Sequence, residues 1–372
     1  MERTGVTPPG AVVAPDLADV VAATGPFVTV YLTTEAGIDN AAHRSEQRWK
    51  ALRRDLADAG APEEALTAID PLVPDAHLRG QTLAAVATRA GLAHAEHSPE
   101  PPPRDRGTWA ALPALVPIVE WRQSHPTHVA VLADRAGADI FLSGHDRPDV
   151  HREAGGADDP LHRAKPGGWS QLRYQHRAEN TWEHNAEDVA AEITNLFDRS
   201  GARLVIVAGD VRAVQLIREA LPARVAERLE MIEGGRSEDG SEDEFGAEVH
   251  GRLAGAVATD TVQLVEKFRE ELGQGDRAAD GPENTLAALA QAQVEVLLVH
   301  EDPDDDRRAF FGPEPTAIGL GADDVAALGV DEPSEAPLVD VAVRAALGTG
   351  AGIRVVPAGQ APTGGLGAIL RW

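Results

Sequence analysis

Three short apolar runs, "PFVTVYLTT", "ARLVIVAGD" and "VEVLLVH", constrain the fold of this chain more than any other feature. Each is rich in Val, Ile and Leu and too short for a buried helix, so each reads as a strand. Helical stretches stand beside them: "PDLADVVAATG" before the first, "VRAVQLIREAL" after the second, "ENTLAALAQAQ" before the third. Strands and helices that alternate in this way bury their apolar faces against one another in layers, which is the α/β class.

Other segments extend the pattern. "TLAAVATRAGLAHAEH" and "HVAVLADRAGADIFLSG" each predict two strands around a turn. "NAAHRSEQRWKALRRDLADAG" is a charged amphipathic helix closed by Gly60. Ser170 to Arg199 reads as one long helix, with Tyr174, Ala178, Val189, Ile193 and Leu196 near one stripe. A second long helix is expected from Ala247 to Leu272, after the acidic insert "EGGRSEDGSEDEFG", which reads as a loop over 237–245. Asn284 or Thr285 is the expected cap of the helix in "ENTLAALAQAQ". "PLVDVAVRAALGTG" is a glycine-ended helix, and "IRVVPA" and "GAILRW" are strands. With 372 residues the chain is long enough for two or three domains.

Composition excludes several chemistries. There is no cysteine, hence no disulfide, thiol nucleophile or Cys-ligated zinc, as in a reducing compartment. No apolar run is long enough to cross a membrane, and the start, "MERTGVTPPG", lacks the basic and apolar regions of a signal peptide. A cytoplasmic protein with no membrane partner is expected. Phosphate-loop, dinucleotide, HExxH and GxSxG patterns are absent. Asp302, Asp304 and Asp306 have calcium-loop spacing, but Arg307 stands where the turn glycine belongs and Pro313 where the bidentate glutamate belongs. That stretch reads as a solvated loop. His176 and His184 are two helical turns apart, so no metal site and no cofactor is expected.

The formal charge is −26, which disfavours long-range attraction to nucleic acid, and no DNA partner is expected. Salt screens charges beyond about 8 Å, so a local basic island can still hold phosphate. From Pro160 to Ala178 there is no acidic side chain, and Arg163, Lys165, Arg173 and Arg177 stand there. Arg173 and Arg177 are four apart and share one helix face. Gly167 and Gly168 let another backbone approach closely, Ser170 can cap the helix that follows, and Gln171 lies in its first turn. Free N–H groups at such a helix start favour an anion, and Trp169 offers a ring for a nucleobase. Read from the residues alone, the stretch is either a phosphate-binding tip or a flexible glycine loop beside a solvated arginine face.

At these residues the sequence resembles the class-1 translation release factors of archaea and eukaryotes and their relative Pelota. Their middle domain carries "GGQSALRF-ARxRxE…HN"; here the stretch is "GGWSQLRYQHRAENTWEHN". "ENTLAALAQAQVEVLLVHED" is similar to the opening of their C-terminal domain, "xxTLxALxxGAVExLLIxE", and "GGLGAILRW" to their closing "GGIAAILRY". Together the three matches cover roughly residues 125–372. The N-terminal part has neither "NIKS" nor the cysteine-containing stop-codon element, so stop-codon reading is not expected. The chain looks most like the bacterial branch of this family, which includes the ribosome hibernation factor Balon and its actinobacterial relatives.

The resemblance implies three domains: 1–124 of the decoding-region type, 125–261 carrying the Gly-Gly-Trp loop, and 262–372 with the fold of kink-turn-binding ribosomal proteins. It implies a tRNA-mimicking factor that binds rRNA in the aminoacyl site of the ribosome, accompanied in that family by elongation factor Tu. The ribosome-binding residues would be Arg163, Lys165, Gly167, Gly168, Trp169, Ser170, Gln171, Arg173 and Arg177. In release factors the loop glutamine helps position water and stabilise the oxyanion at the peptidyl-tRNA ester. Trp169 stands in that place, with one donor and no acceptor, so no catalytic residue is assigned and the expectation is occupancy without peptide release, as in ribosome hibernation or stress protection. The alternative is a peptidyl-tRNA hydrolase or rescue factor acting through Gln171.

Overall fold

The computed structural model describes residues 10–35, 40–98, 100–102, 104–134, 137–144, 150–154, 180–232, 241–302 and 304–372. In the two helices beginning at 180 and 241, side chains are described from 185 and 245 onward. The chain divides into two units: Met1–Gln123 with Asp260–Trp372, and Ser124–Thr259.

The N-terminal part runs α1 (Pro15–Ala22), β1 (Phe27–Thr33), α2 (Ala41–Asp58), α3 (Glu63–Ile69), β2 (Thr82–Thr88), β3 (Gly91–Ser98), β4 (Arg106–Ala110) and α4 (Val116–Ser124). Its antiparallel sheet has the order β3-β2-β1-β4. Alternation along β1 divides two cores. Val28, Val30 and Leu32 face α2 and α3, while Phe27 and Tyr31 join a core that also holds the C-terminal sheet.

The middle unit contains β5 (His128–Ala133), β6 (Ala138–Ser143), β7 (Val150–Ala154), α5 (Asn180–Ser200), β8 (Leu204–Gly209), α6 (Val211–Ala220), α7 (Ala223–Ala226) and β9 (Leu229–Met231). The 34-residue α8 (Ser241–Gln274) follows, and the boundary between the units falls inside it. The sheet order is β7-β6-β5-β8-β9, with β8 parallel to β5 and β9, and the hairpin side antiparallel. Ala186, Val189, Ile193 and Leu196 of α5 pack on one sheet face; Phe245, Val249 and Leu253 of α8 belong to the core on the other. The expected start of the α5 helix before Asn180, with Tyr174 and Ala178, lies outside the described residues.

The C-terminal part runs β10 (Ala278–Asp280), α9 (Pro282–Ala290), β11 (Val294–Val299), β12 (Arg308–Phe311), β13 (Ile318–Gly319), α10 (Ala322–Ala326), β14 (Ser334–Pro337), α11 (Leu338–Gly348), β15 (Gly352–Val355) and β16 (Leu366–Leu370). One sheet has the order β10-β16-β11-β15, with β11 and β15 parallel; a smaller one has the order β13-β12-β14. Mixed α/β layering is therefore the observed class.

Three local expectations are corrected. Ser241–Gly246 of the acidic insert open α8 rather than forming a loop. Phe245, Val249 and Leu253 supply the buried stripe that holds the helix to the sheet. The helix α9 is capped at Gly281, not at Asn284 or Thr285, because Pro282 needs no N–H partner in the first turn. Asn284 instead donates to the Asp280 carbonyl at 3.0 Å. Within 302–313, Arg308–Phe311 form a strand: Ala309 and Phe311 alternate inward, and Arg308 pairs with Glu335 on β14.

Arginines tie the first unit together. Arg354, buried on the edge strand β15, donates to the Gly10 carbonyl at 2.6 Å and to the Thr261 hydroxyl. Val12 and Ile353 exchange both backbone bonds, at 2.8 and 2.9 Å, so the N-terminal segment covers that edge. Arg122, 5% exposed, donates to both Asp16 oxygens at 2.9 and 2.6 Å and reaches Glu96 at 2.7 Å. Its guanidinium holds the Asp16 carboxyl below the usual range. Arg106 of β4 meets Glu301, just past β11, at 2.7 Å. Burial, reinforced by the Glu301 charge, pushes Asp340 up to about 7, while Arg106 and Arg308 pull it back.

Arg122→Met leaves two carboxylates without their counter-charge. The expected loss is about 3 kcal/mol, the low end for a buried pair because Asp16 keeps half its surface in water, read as a lowered urea midpoint at neutral pH. Asp340 has the opposite sign. Its folded pKa is raised, so the folded chain holds the proton more tightly than the unfolded one. That contribution is full below the unfolded value of 3.8 and is lost as pH rises through about 7. Asp340→Asn is expected to stabilise the protein at alkaline pH by at least about 1.4 kcal/mol, with the gain vanishing in acid; urea midpoints measured across the pH range check this.

Candidate functional site

Parallel strands cannot be joined by a tight turn, so the chain must leave the end of β5 and return to the start of β8 by a long crossover. Here the crossover is β6, β7, residues 155–179 and α5. Arg163, Lys165, Gly167, Gly168, Trp169, Ser170, Gln171, Arg173 and Arg177 all fall in that interval and lie outside the described residues. What the structure describes is the frame on either side: the edge strand β7, ending at Ala154, and the helix α5, beginning at Asn180.

The helix is fixed to the sheet by its apolar stripe. Asn185, the last residue of the quoted motif, is buried and lines a small pocket with Asp134, Gly137, Ala213 and Leu216. Asp134 stands just past β5, and its carboxylate accepts from the Gly137 N–H at 3.0 Å, closing the hairpin turn. Asp210 stands just past β8 and caps α6, accepting from the N–H groups of Arg212 and Ala213 at 3.0 and 3.2 Å. Two carboxylates therefore occupy the carboxyl ends of β5 and β8, where open α/β sheets otherwise bind ligands. Their charge makes that crevice unsuited to phosphate.

The close approach of the two strands depends on one glycine. Gly209 has φ +137°, and a Cβ there would lie 1.8 Å from the Ala133 carbonyl oxygen. The same oxygen accepts the Asp210 N–H at 3.1 Å, so the cap of α6 and the end of β5 are one construction.

On the α8 side of the sheet, β6 and β7 carry a polar group that the chain order did not announce. Asp139 lies directly across from Glu153, and Phe141 from His151. His151 Nε2 is 3.0 Å from Asp139 Oδ1, and its ring stacks on Phe141 at 4.5 Å and 2°. Asp139 is buried. The H-x-E spacing at 151–153 puts both side chains on one strand face, but only the hairpin register brings Asp139 to them.

Residues 127–274 match the family model of bacterial archaeo-eukaryotic release factor family 2. Over 360 residues, 95% of each chain, this protein is 28% identical to the uncharacterized protein Rv2629 of Mycobacterium tuberculosis (strain H37Rv). Among solved structures it is similar to the archaeal translation termination factor aRF1, with 19% identity over 94% of this chain and 93% of that one and a TM-score of 0.25. It is also similar to Pelota of Archaeoglobus fulgidus, with 13% identity, 97% and 93% coverage and a TM-score of 0.34.

Gly209→Ala is expected to push β8 from β5 and displace the Asp210 cap, costing at least about 2 kcal/mol from backbone strain and steric overlap. Amide hydrogen exchange should then quicken in β5, β8 and the first turn of α6; protection equal to that of the unmodified protein would contradict the reading.

Proposed function

From the match of residues 127–274 to the model of bacterial archaeo-eukaryotic release factor family 2, we propose that this protein is a translation factor that occupies the aminoacyl site of the ribosome without releasing the peptide. The observation that carries the reading is the position of Trp169. The matched segment contains the whole Gly-Gly-Trp stretch, and an indole stands where the release-factor loop has its glutamine. An indole offers a single donor and no acceptor, and it fills the space that an attacking water needs.

The division of labour follows. Residues 125–261 direct Gly167, Gly168 and Trp169 toward the peptidyl-transferase centre. Arg163, Lys165, Arg173 and Arg177 hold rRNA phosphates, Ser170 and Gln171 stand between the glycine pair and Arg173 in the sequence, and Gln171 does not act on the ester. Residues 1–124 sit in the decoding region, and residues 262–372 form the kink-turn-protein-like end. Elongation factor Tu accompanies binding, and the role is protection of idle ribosomes under stress, as in the Balon-like branch. Support for the phosphate-binding role comes from the absence of any acidic side chain between 160 and 178 in a chain of charge −26.

The test is co-sedimentation with purified ribosomes together with release of labelled peptide from peptidyl-tRNA. The protein should pellet with ribosomes and release no peptide. The double variant Arg173→Glu, Arg177→Glu should bind at least about tenfold more weakly, and neutralising two phosphate contacts fewer should flatten the salt dependence by about two. A protein that stays in the supernatant sinks the proposal. Peptide release that disappears in Gln171→Ala assigns the chain to the hydrolase alternative instead.

A further inference from the structure

The polar group on β6 and β7 goes beyond what the ribosome-binding reading needs and stands apart from it. Among the described residues, Asp139, His151 and Glu153 form a set of three ligand-bearing side chains whose donor atoms all lie within 4.8 Å of one another. We propose that Asp139, His151 and Glu153 form a binding site for a divalent transition cation, of the Zn²⁺ class, that fastens the edge strand β7 to β6.

The two strands place the donors. Asp139 and Glu153 are a cross-strand pair, and His151 is two residues from Glu153 on the same face, diagonal to Asp139. Bonds of about 2.0–2.2 Å around a tetrahedral ion put ligand atoms roughly 3.4 Å apart. His151 Nε2 and Asp139 Oδ1 already stand 3.0 Å apart. Glu153 is exposed and free to swing, so it can close the third side without moving the backbone.

Preorganisation favours binding over a plain hydrogen-bonded pair. Stacking against Phe141 sets the plane of the His151 ring, and its Nε2 points at Asp139. Asp139 is buried, so its carboxylate has already lost most of its water, and a cation gains from the attraction without stripping that ligand further. Three protein ligands leave a further position for water. One imidazole beside two carboxylates selects a borderline transition ion over Mg²⁺ or Ca²⁺, which take oxygen donors.

The position gives such an ion a consequence. Among the described residues, β7 is the outermost strand of its sheet and pairs with β6. Residues 155–179 follow directly after its last residue, Ala154. An ion held by both strands would lock the root from which the Gly-Gly-Trp stretch departs.

The test uses the full chain without an affinity tag, stripped with EDTA and titrated with Zn²⁺ against a chromophoric chelator, followed by thermal unfolding with and without Zn²⁺. One equivalent should bind and raise the melting temperature, and millimolar Mg²⁺ should not displace it. His151→Gln and Glu153→Gln should each weaken binding at least about tenfold, the second through an exposed side chain whose replacement leaves the fold intact. Cobalt substitution gives a second readout, since the visible band of Co²⁺ on an imidazole nitrogen should be lost in His151→Gln. Zn²⁺ that fails to bind, or that binds equally well in Glu153→Gln and His151→Gln, overturns the proposal and leaves a His–Asp hydrogen bond alone.

Discussion

The parallel pairing of β5 with β8 is the constraint on which the middle unit depends. The ladder runs from His128↔Leu204 to Ala133↔Gly209, and it is laid down only after the chain has made an excursion of some seventy residues. Closing so long a loop costs entropy before any contact repays it, so the ladder must be strongly favoured. Two features supply this. Val129, Val131, Val205 and Val207 are fully buried, and the missing Cβ of Gly209 lets the strand ends meet. Once the ladder forms, the crossover is pinned at both ends, and the stretch with the glycine pair has its two anchorages defined.

Much of the fold was legible because apolar alternation and local turn chemistry act over short distances. The hairpin of β5 and β6, the buried run at 204–209 and the glycine-ended helix at 338–348 all follow from neighbours in sequence. What was not legible depends on partners far along the chain. Arg308–Phe311 is a strand because β14 lies beside it, and nothing in "DPDDDRRAFFGP" announces that partner. The start of α9 turned on a competition between two local signals. Asn284 is a good cap in isolation, but Pro282 has a fixed φ and no N–H, and that settles the first turn earlier.

The candidate site divides in the same way. Glycines, arginines and tryptophan within one short stretch are visible to anyone reading the sequence, since their chemistry is local. The Asp139, His151 and Glu153 group is not, because it is made by cross-strand register, and "HDRPD" between the strands does not reveal it. The burial of Arg122 and Arg354 was equally hidden: an arginine in the sequence gives no sign that carboxylates or carbonyls far away will enclose it.

Arginines enclosed in this way are poorly placed to hold phosphate. In the described part of the chain many guanidinium groups are engaged by carboxylates: Arg44 and Arg48 with Glu35, Arg53 with Glu63 and Asp70, Arg224 with Asp198, Arg277 with Glu271 and Arg307 with Asp305. Such a pair presents little net charge to a polyanion, and freeing the arginine means exposing the acid that held it. Local repulsion then offsets the gain. Between 160 and 178 the sequence supplies no acid to do this. With a screening length of about 8 Å, acids elsewhere on the surface lose most of their influence over a basic cluster that stands farther away. In a chain of charge −26, an acid-free basic interval of this kind is where attraction for a polyanion would be concentrated, while the acidic remainder repels it.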